Sequence, residues 1–225
     1  MEQSKDKVYQ NSGNADVLRH ITKPHSTILD VGCGGGSLAG ILKGLGHTVD
    51  GITISEEEHA SAGTYCREVF IHNLEKGLPE KVLHNWYDYI VCSHVLEHIV
   101  YPKKLLSDSR KILTPGGRLI VALPNLMHYK SRMKLVSGNF NYQQAGIWDY
   151  THVKWYTYRS AQKMLANAGF IVETAEVTGE LPLNSVFSKI LPASARKKIF
   201  NALAGISKGF FGYQLLFTAS KAVEA

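Results

Sequence analysis

Ionisable side chains gather in the stretch SHVLEHI, which directly follows the apolar residues IVC. His94, Glu97 and His98 are spaced i, i+3 and i+4, and a further histidine, His152, occurs in the stretch DYTHVKWYT. Imidazole and carboxylate groups in this pattern suit binding of a metal ion, transfer of a proton near neutral pH, or the start of a helix. The local sequence leaves these three readings open.

A second chemical signal is the glycine-rich stretch ILDVGCGGGSLAGIL. A strand-like run enters Gly32, Gly34 and Gly36, and a helical pattern follows at once. Glycines at such a junction let the backbone turn tightly and bring its amides against a ligand. A dinucleotide site would need a third glycine at Ser37, and a P-loop would end in Gly-Lys-Ser/Thr. The loop therefore predicts a nucleotide-type ligand other than NAD or a triphosphate.

The elements that would position these residues follow from the periodicity. Short β-branched runs alternate with helical patterns, which is typical of a sheet covered by helices on both faces. Strands are predicted at residues 27–31, 48–53, 68–72, 87–93, 116–123, 170–177 and 213–220, and helices at 37–45, 56–66, 102–113 and 158–169. Residues 125–157 lack clear periodicity and predict a loop that covers a site. Residues 181–211 predict a basic, amphipathic helical insert before the last strand.

Composition indicates one globular domain over residues 1–225. The chain is 44% hydrophobic and 20% charged, which is ordinary for a globular protein. No apolar run reaches the roughly 18 to 20 residues that span a bilayer, and the polar start is unlike a signal peptide, so a cytoplasmic location is predicted. Cys33, Cys66 and Cys92 have no CxxC spacing and are predicted to be buried, reduced thiols.

The formal net charge of +6 is concentrated near the end of the sequence. From Leu181 onward only Glu224 is acidic, whereas the basic residues are Lys189, Arg196, Lys197, Lys198, Lys208 and Lys221. A basic segment attracts anionic partners such as phosphates or membrane surfaces. A solvated face without a partner is the alternative reading.

Five stretches together resemble class I S-adenosylmethionine-dependent methyltransferases, in order and at the expected intervals. They are LDVGCGGG, VDGITIS, HNLEKGLP, YDYIVCSHVLEHI and LTPGGRLIVALPN, within residues 28–125. Downstream, LPNLMHYKSRMKLVSGNF, DYTHVKWYTYRS and LANAGF resemble methyltransferases of polysaccharide and O-antigen biosynthesis. The resemblance implies an α/β, Rossmann-like fold with a seven-stranded, mostly parallel sheet ordered 3-2-1-4-5-7-6 and helices on both faces. The resemblance also implies three additions to this fold: an N-terminal helical segment (1–26), a substrate cap loop (125–157) and the C-terminal helical insert (181–211).

The resemblance also implies where S-adenosylmethionine, the expected cofactor, would bind. Residues 30–36 would surround its methionine end, with Asp30 on the ammonium side. Thr53 stands where the family normally has an acid that binds both ribose hydroxyls, and a threonine offers fewer acceptor sites. The expected cofactor-binding residues are Asp30, Gly32, Cys33, Gly34, Gly36, Thr53, Ile54, Asn73, Leu74 and Ser93. Within this set, Asn73 and Leu74 match the adenine-binding segment.

Methyl transfer to a hydroxyl requires that the acceptor be held behind the methyl group and lose its proton. The predicted catalytic residues are His98, His152 and His94, with Asp149 available to orient a neighbour. In ubiquinone-pathway and small-RNA 2′-O-methyltransferases, a Glu-x-x-Glu-His segment at this place binds a divalent ion. If this chain binds one, the ligands would be His94, Glu97, His98 and His152, a set softer than magnesium prefers and better suited to zinc. The metal-independent reading is favoured.

The function expected from the sequence is O-methylation of a small molecule or of a glycan or nucleotide-linked sugar. The basic insert would lie near an anionic carrier or a membrane surface. One alternative is a metal-dependent RNA ribose 2′-O-methyltransferase, but nucleic acid is not favoured because the sequence shows no separate RNA-binding module. Another alternative is a cofactor-binding protein without catalytic activity, which the residues at Thr53 and Asn73 favour slightly.

Overall fold

The computed structural model describes residues 13–222 of the chain. Within these residues the strands are β1 (Thr27–Val31), β2 (Thr48–Thr53), β3 (Glu68–Ile71), β4 (Tyr87–Ser93), β5 (Leu113–Pro124), β6 (Phe170–Thr178) and β7 (Gln214–Lys221). They form one sheet in the order β3-β2-β1-β4-β5-β7-β6. The strands from β3 to β5 pair in parallel, and β7 runs antiparallel between β5 and β6. The strand order expected from the sequence is confirmed.

Helices connect and cover the strands. They are α1 (Ala15–Leu18), α2 (Ser37–Gly44), α3 (Glu56–Ala62), α4 (Lys103–Ile112), α5 (Tyr129–Val136), α6 (Tyr158–Asn167), α7 (Asn184–Phe187), α8 (Ala193–Ile206) and α9 (Lys208–Phe211). Short 3₁₀ turns span Leu74–Lys76, Glu80–His84 and Leu96–His98. No helix within residues 13–222 is long and apolar enough to cross a membrane.

The central strands are apolar on both sides because each side faces a layer of helices. In β4, Ile90 and Cys92 belong to one buried cluster, while Tyr89 and Val91 belong to the cluster on the opposite face. Successive side chains of a strand point to opposite faces, so this alternation builds two cores, one on each side of the sheet.

Two departures from the predicted elements have local causes. Helix α3 ends at Ala62, four residues earlier than predicted, with Gly63 at its C-terminus. Helix α5 lies inside the segment predicted to be a loop. Its apolar residues, such as Met133 (67% exposed) and Val136 (90% exposed), are not buried, so they form no periodic core-facing stripe from which a helix could be predicted. Of the segment 1–26, predicted to be helical, residues 1–12 lie outside the described residues, and within 13–26 the α-helix is α1 (Ala15–Leu18).

The carboxyl ends of β1, β4, β5 and β6 lie at one edge of the sheet, where ligands bind in open α/β folds. The glycine loop follows β1, the SHVLEHI segment follows β4, and residues 125–157 follow β5. The insert between β6 and β7 starts at the same edge. The topology therefore brings together the segments that the sequence marked as functional.

Candidate active site

The glycine loop after β1 adopts a backbone that favours glycine. Gly32, Gly34 and Gly36 have φ values of +74°, +53° and +86°, in the left-handed region. A Cβ atom on Gly32 would lie 2.5 Å from Cγ2 of Val95, so the loop is held against the segment that follows β4. The Cys33 side chain points into the core beside Gly51, so at this position only the backbone lies in the loop.

Asp30, on β1, places a carboxylate beneath this loop. The side chain is 2% exposed, and its Oδ2 atom has no hydrogen-bond partner among residues 13–222. Burial raises the pKa of Asp30 to about 7, because the charged form is poorly solvated there. A cationic ligand group at this position would compensate that charge.

We expect Asp30→Asn to stabilise the ligand-free protein in a pH-dependent way. The pKa of Asp30 is raised from 3.8 to about 7 in the folded state, so ionisation above pH 7 opposes folding by up to about 4 kcal/mol. Below pH 4 the carboxyl is protonated in both states, and the variant should match the parent protein. Thermal unfolding of both proteins from pH 4 to pH 8 measures the difference, which should grow across this range.

Glu80→Gln is the control for that comparison, since Glu80 is exposed and distant from the loop. If the stability difference between Asp30→Asn and the parent protein does not change with pH, burial of the Asp30 charge is not the cause of that difference.

Thr53 ends β2 and contacts a carboxylate that the sequence analysis missed. Its Oγ1 donates a short hydrogen bond to Oε2 of Glu58, and both side chains are buried, at 3% and 4% exposure. Glu58 comes from the first turn of α3, where the Ser55 side chain accepts from its backbone N–H. A carboxylate five residues after the end of β2 thus lies beside Thr53. The sequence feature that could have indicated this carboxylate is the run of three glutamates after Ser55, of which Glu58 faces inward.

The remaining predicted cofactor residues lie along the same edge but differ in exposure. Ile54 is half-buried beside Thr53, Leu74 is half-buried, and Asn73 is exposed. The Asn73 side chain accepts from the backbone N–H of Glu75 and so starts the 3₁₀ turn. Ser93, at the end of β4, accepts through Oγ from Asn14 Nδ2 at 3.1 Å.

His94 is held in a strained conformation between two acceptor oxygens. Its φ of +57° is unusual for a residue other than glycine. Nε2 donates to Oε1 of Gln214 at 2.8 Å, and Nδ1 lies 3.3 Å from Oε1 of Glu97. Desolvation lowers the pKa of His94, but the contacts with Glu97 and Gln214 outweigh it, so the pKa is raised overall. These contacts favour the protonated ring.

His98 and His152 face each other, with ring centroids 4.8 Å apart. Nδ1 of His98 contacts the carbonyl of Thr151 at 3.2 Å, and Nδ1 of His152 contacts the carbonyl of Ile147 at 3.1 Å. A carbonyl can only accept, so Nδ1 carries the proton in both rings, and Nε2 of a neutral ring keeps its lone pair. Burial lowers the pKa of His152, more than the charge of Glu97 raises it, which favours the neutral form near pH 7.

Glu97 lies at the centre of this group. The residue is fully buried, and neither carboxylate oxygen has a hydrogen-bond partner among the described residues. Oε1 lies 3.9 Å from Nε2 of His152, and ligand atoms of Glu97, His98 and His152 are within 4.8 Å of one another. His94, the fourth predicted ligand, is not part of that triad. A buried carboxylate needs a nearby positive charge, which protonated His94 or a bound cation would supply.

The cap is fastened to this cluster through the backbone. The N–H groups of Val153 and Lys154 both donate to the carbonyl of Glu97 at 3.0 Å. Asp149 acts on His98 through Thr151: its Oδ1 accepts from the backbone N–H and hydroxyl of Thr151, whose carbonyl accepts from His98. Asp149 therefore shapes the turn that fixes the His98 ring.

Comparison with known proteins agrees with this fold. A family model described as a methyltransferase domain matches residues 8–175, which is most of the chain. The chain belongs to the methyltransferase domain family. The chain is 33% identical over 113 residues to a ubiquinone biosynthesis O-methyltransferase of Rickettsia akari, and the alignment covers 49% of this chain and 44% of that protein. The corresponding protein of Thiobacillus denitrificans is 27% identical over 166 residues, 71% of either chain.

Solved structures show the same fold at lower identity. A SAM-dependent methyltransferase from Archaeoglobus fulgidus superposes with a TM-score of 0.65 at 20% identity, covering 92% of both chains. Magnesium protoporphyrin IX methyltransferase from Synechocystis, solved with bound SAH, gives a TM-score of 0.57 at 20% identity, covering 92% of this chain and 80% of that one. The descriptions of these two structures name S-adenosylmethionine or its product, which agrees with the cofactor expected from the sequence.

Proposed function

We propose that this methyltransferase uses S-adenosylmethionine to methylate a hydroxyl group of a small molecule or of a carrier-linked sugar. The observation that carries the proposal is the pairing of His98 and His152, whose Nδ1 atoms bond to backbone carbonyls. The cofactor supplies an electrophilic methyl group when bound. The chain must hold the acceptor, exclude water and accept its proton.

The three histidines have two different roles in proton transfer. The Nε2 atoms of His98 and His152 are the proton acceptors, because their Nδ1 atoms are committed to carbonyls of the cap. Glu97 stabilises the imidazolium that forms when either ring takes the proton, since its Oε1 lies 3.9 Å from Nε2 of His152. His94, bonded to Gln214 and close to Glu97, holds the carboxylate in place.

The loop residues fit the cofactor in the same way. The unpartnered Asp30 oxygen suits the cofactor's ammonium group, and the glycine backbone leaves room for its methionine part. Thr53 and Glu58 together would accept from the ribose hydroxyls.

We expect Glu58→Gln to raise the Kd for S-adenosylmethionine by roughly tenfold, because a charge-assisted hydrogen bond becomes a neutral one. The turnover number at saturating cofactor should change little, since Glu58 lies at the β2–α3 corner, away from the histidines. Calorimetric titration measures the affinity. Glu57→Gln, the exposed preceding residue of α3, is the matched control. Equal affinity in Glu58→Gln and Glu57→Gln would place the ribose elsewhere.

A metal-assisted form of the same reaction is the second candidate, favoured by the Glu97, His98 and His152 triad. Its two imidazoles and one carboxylate suit zinc, and the backbone hydrogen bonds at Nδ1 are those that orient histidine ligands. The buried, unpartnered Glu97 oxygens fit a cation. Such an ion would polarise the acceptor hydroxyl.

The acceptor is proposed to contain a ring because the cap presents a cluster of aromatic side chains that includes Trp148, the neighbour of Ile147, whose carbonyl contacts His152. Phe140 lies 4.7 Å from Trp148 and 5.4 Å from Tyr142, measured between ring centroids, and Phe140 and Tyr142 are 48% and 54% exposed. Exposed aromatic faces suit a sugar or a phenol. The O-methyltransferase names of the curated relatives support a hydroxyl acceptor, and a sugar agrees with the resemblance noted downstream of β5.

The proposal is tested by transfer of a labelled methyl group to panels of nucleotide-linked sugars, carrier-linked sugars and phenols. We expect label in an alkali-stable ether of one panel, together with saturable cofactor binding in calorimetry. Binding without transfer to any hydroxyl compound would favour the non-catalytic alternative, and absence of binding would reject the proposed function.

A further inference from the structure

The insert between β6 and β7 leaves apolar side chains in solvent at helical spacing. Leu183 caps the short helix α7, Val186 and Phe187 lie in it, and Ile190 lies in the turn that follows it. Their sequence spacing is the i, i+3, i+4, i+7 spacing of a helix face. Such a face is normally buried against the protein. Here Leu183 is 68% exposed and Ile190 is 72% exposed.

Helix α8 is covered on only one side by the described part of the chain. Phe200 and Ala204 pack with Leu181 in a small separate core, whereas Ile199 and Ile206 are 42% and 80% exposed. We call the exposed apolar residues in and beside α7 and α8 the insert face; they are Leu183, Val186, Phe187, Ile190, Ile199 and Ile206.

The insert itself, residues 181–211, carries charge of one sign. Residues 181–222 contain no aspartate or glutamate, and the insert carries Lys189, Arg196, Lys197, Lys198 and Lys208. Lys197 and Lys198 are exposed on α8, while Arg196 bonds to Asn184 at 2.7 Å and ties α8 to α7. Apolar and basic groups thus occupy the same two helices.

The insert is fixed to the edge of the sheet that carries the site. Nδ2 of Asn125, which follows β5, donates to the carbonyls of Gly212 at 2.6 Å and Gly209 at 3.0 Å. The ring centroids of Tyr129, in α5, and Phe210, in α9, lie 6.0 Å apart. Whatever binds the insert face is therefore held beside the cap.

We propose that the insert face docks on the surface of an anionic lipid bilayer. Exposed branched aliphatic and aromatic side chains enter the headgroup region, and the lysines of the insert attract anionic headgroups, about fivefold in affinity for each basic residue near the surface. The active-site edge then faces the membrane, where an acceptor on a lipid carrier would be presented.

The composition of the insert face separates this occupant from others. A second copy of the chain would bring the same basic segments together, which opposes a symmetric dimer through this face. Nucleic acid would be attracted by the lysines, but the exposed Ile190 and Ile206 would gain nothing from phosphates. An anionic bilayer uses both sets of side chains, because it offers anionic headgroups above an apolar interior.

Vesicle sedimentation tests the proposal with the full chain. We expect it to pellet with vesicles of phosphatidylcholine and phosphatidylglycerol and to remain in solution with phosphatidylcholine alone. Ile190→Asp, and separately Lys197→Glu with Lys198→Glu, should each weaken binding to the mixed vesicles by at least about tenfold. Added salt should weaken the binding further.

Matched controls lie at the opposite edge of the sheet. Leu45→Asp, at the C-terminal end of α2, replaces an apolar residue that is 60% exposed, and Lys43→Glu with Lys81→Glu makes the same change in charge. These controls should bind vesicles like the parent protein, and all variants should keep the parent cofactor affinity. Equal binding to both vesicle types, no binding to either, or equal losses in the control variants would overturn the proposal. So would a dimer in the absence of lipid that Ile190→Asp dissociates.

Discussion

Gly34→Val is expected to abolish binding of S-adenosylmethionine while leaving the protein folded. Gly34 lies in the loop after β1 with a φ of +53°, where the backbone approaches the proposed ligand and a branched side chain would occupy its space. The left-handed conformation adds a backbone cost of roughly 1–2 kcal/mol. Calorimetric titration should therefore show no saturable binding, and circular dichroism should show a folded protein with a modestly lowered Tm.

Gly116→Val separates the loss of ligand space from the cost of the left-handed backbone. Gly116 also has a left-handed backbone, with a φ of +77°, but a Cβ atom there would meet nothing within 4 Å, and the residue lies at the start of β5, far from the loop. This control should lower the Tm by a similar amount and leave cofactor affinity unchanged. If Gly34→Val binds the cofactor as tightly as Gly116→Val, the cofactor lies elsewhere in the molecule.

The fold could be predicted from the sequence because its signals are local. The TILDV and YDYIVCS runs are apolar on both faces, as buried parallel strands must be, and the glycine loop marks the first turn into a helix. Helix α5 could not be predicted, since its Met133 and Val136 are exposed and give no periodic core-facing pattern.

The candidate site was less predictable because it depends on contacts between segments distant in sequence. The sequence grouped His94, His98 and His152, but their hydrogen-bond partners are Gln214, Thr151 and Ile147, which no spacing rule connects to them. Glu58 was missed for a related reason. Which of three adjacent glutamates turns inward depends on how α3 packs on β2, and only the structure gives that.

His98→Ala and His152→Ala are each expected to lower the turnover number by roughly 10²- to 10⁴-fold while cofactor affinity stays nearly unchanged. Each variant removes one proton acceptor of the facing pair, whereas the cofactor loop lies after a different strand. Single-turnover methyl transfer under saturating cofactor measures the effect. His84→Ala is the control, since His84 is exposed in the 3₁₀ turn before β4 and should be replaceable without loss.

The same variants distinguish direct proton transfer from metal assistance. If the imidazoles act directly, chelators should leave the parent protein active, and Glu97→Gln should be less damaging than His98→Ala because it removes charge stabilisation but not the proton acceptor. If Glu97, His98 and His152 hold one ion, chelation should abolish activity, added zinc should restore it, and the three substitutions should be equally damaging. Full activity in His98→Ala with a lowered Tm would contradict both mechanisms. The cluster would then serve to fix the cap, through the hydrogen bonds from Val153 and Lys154 to the Glu97 carbonyl.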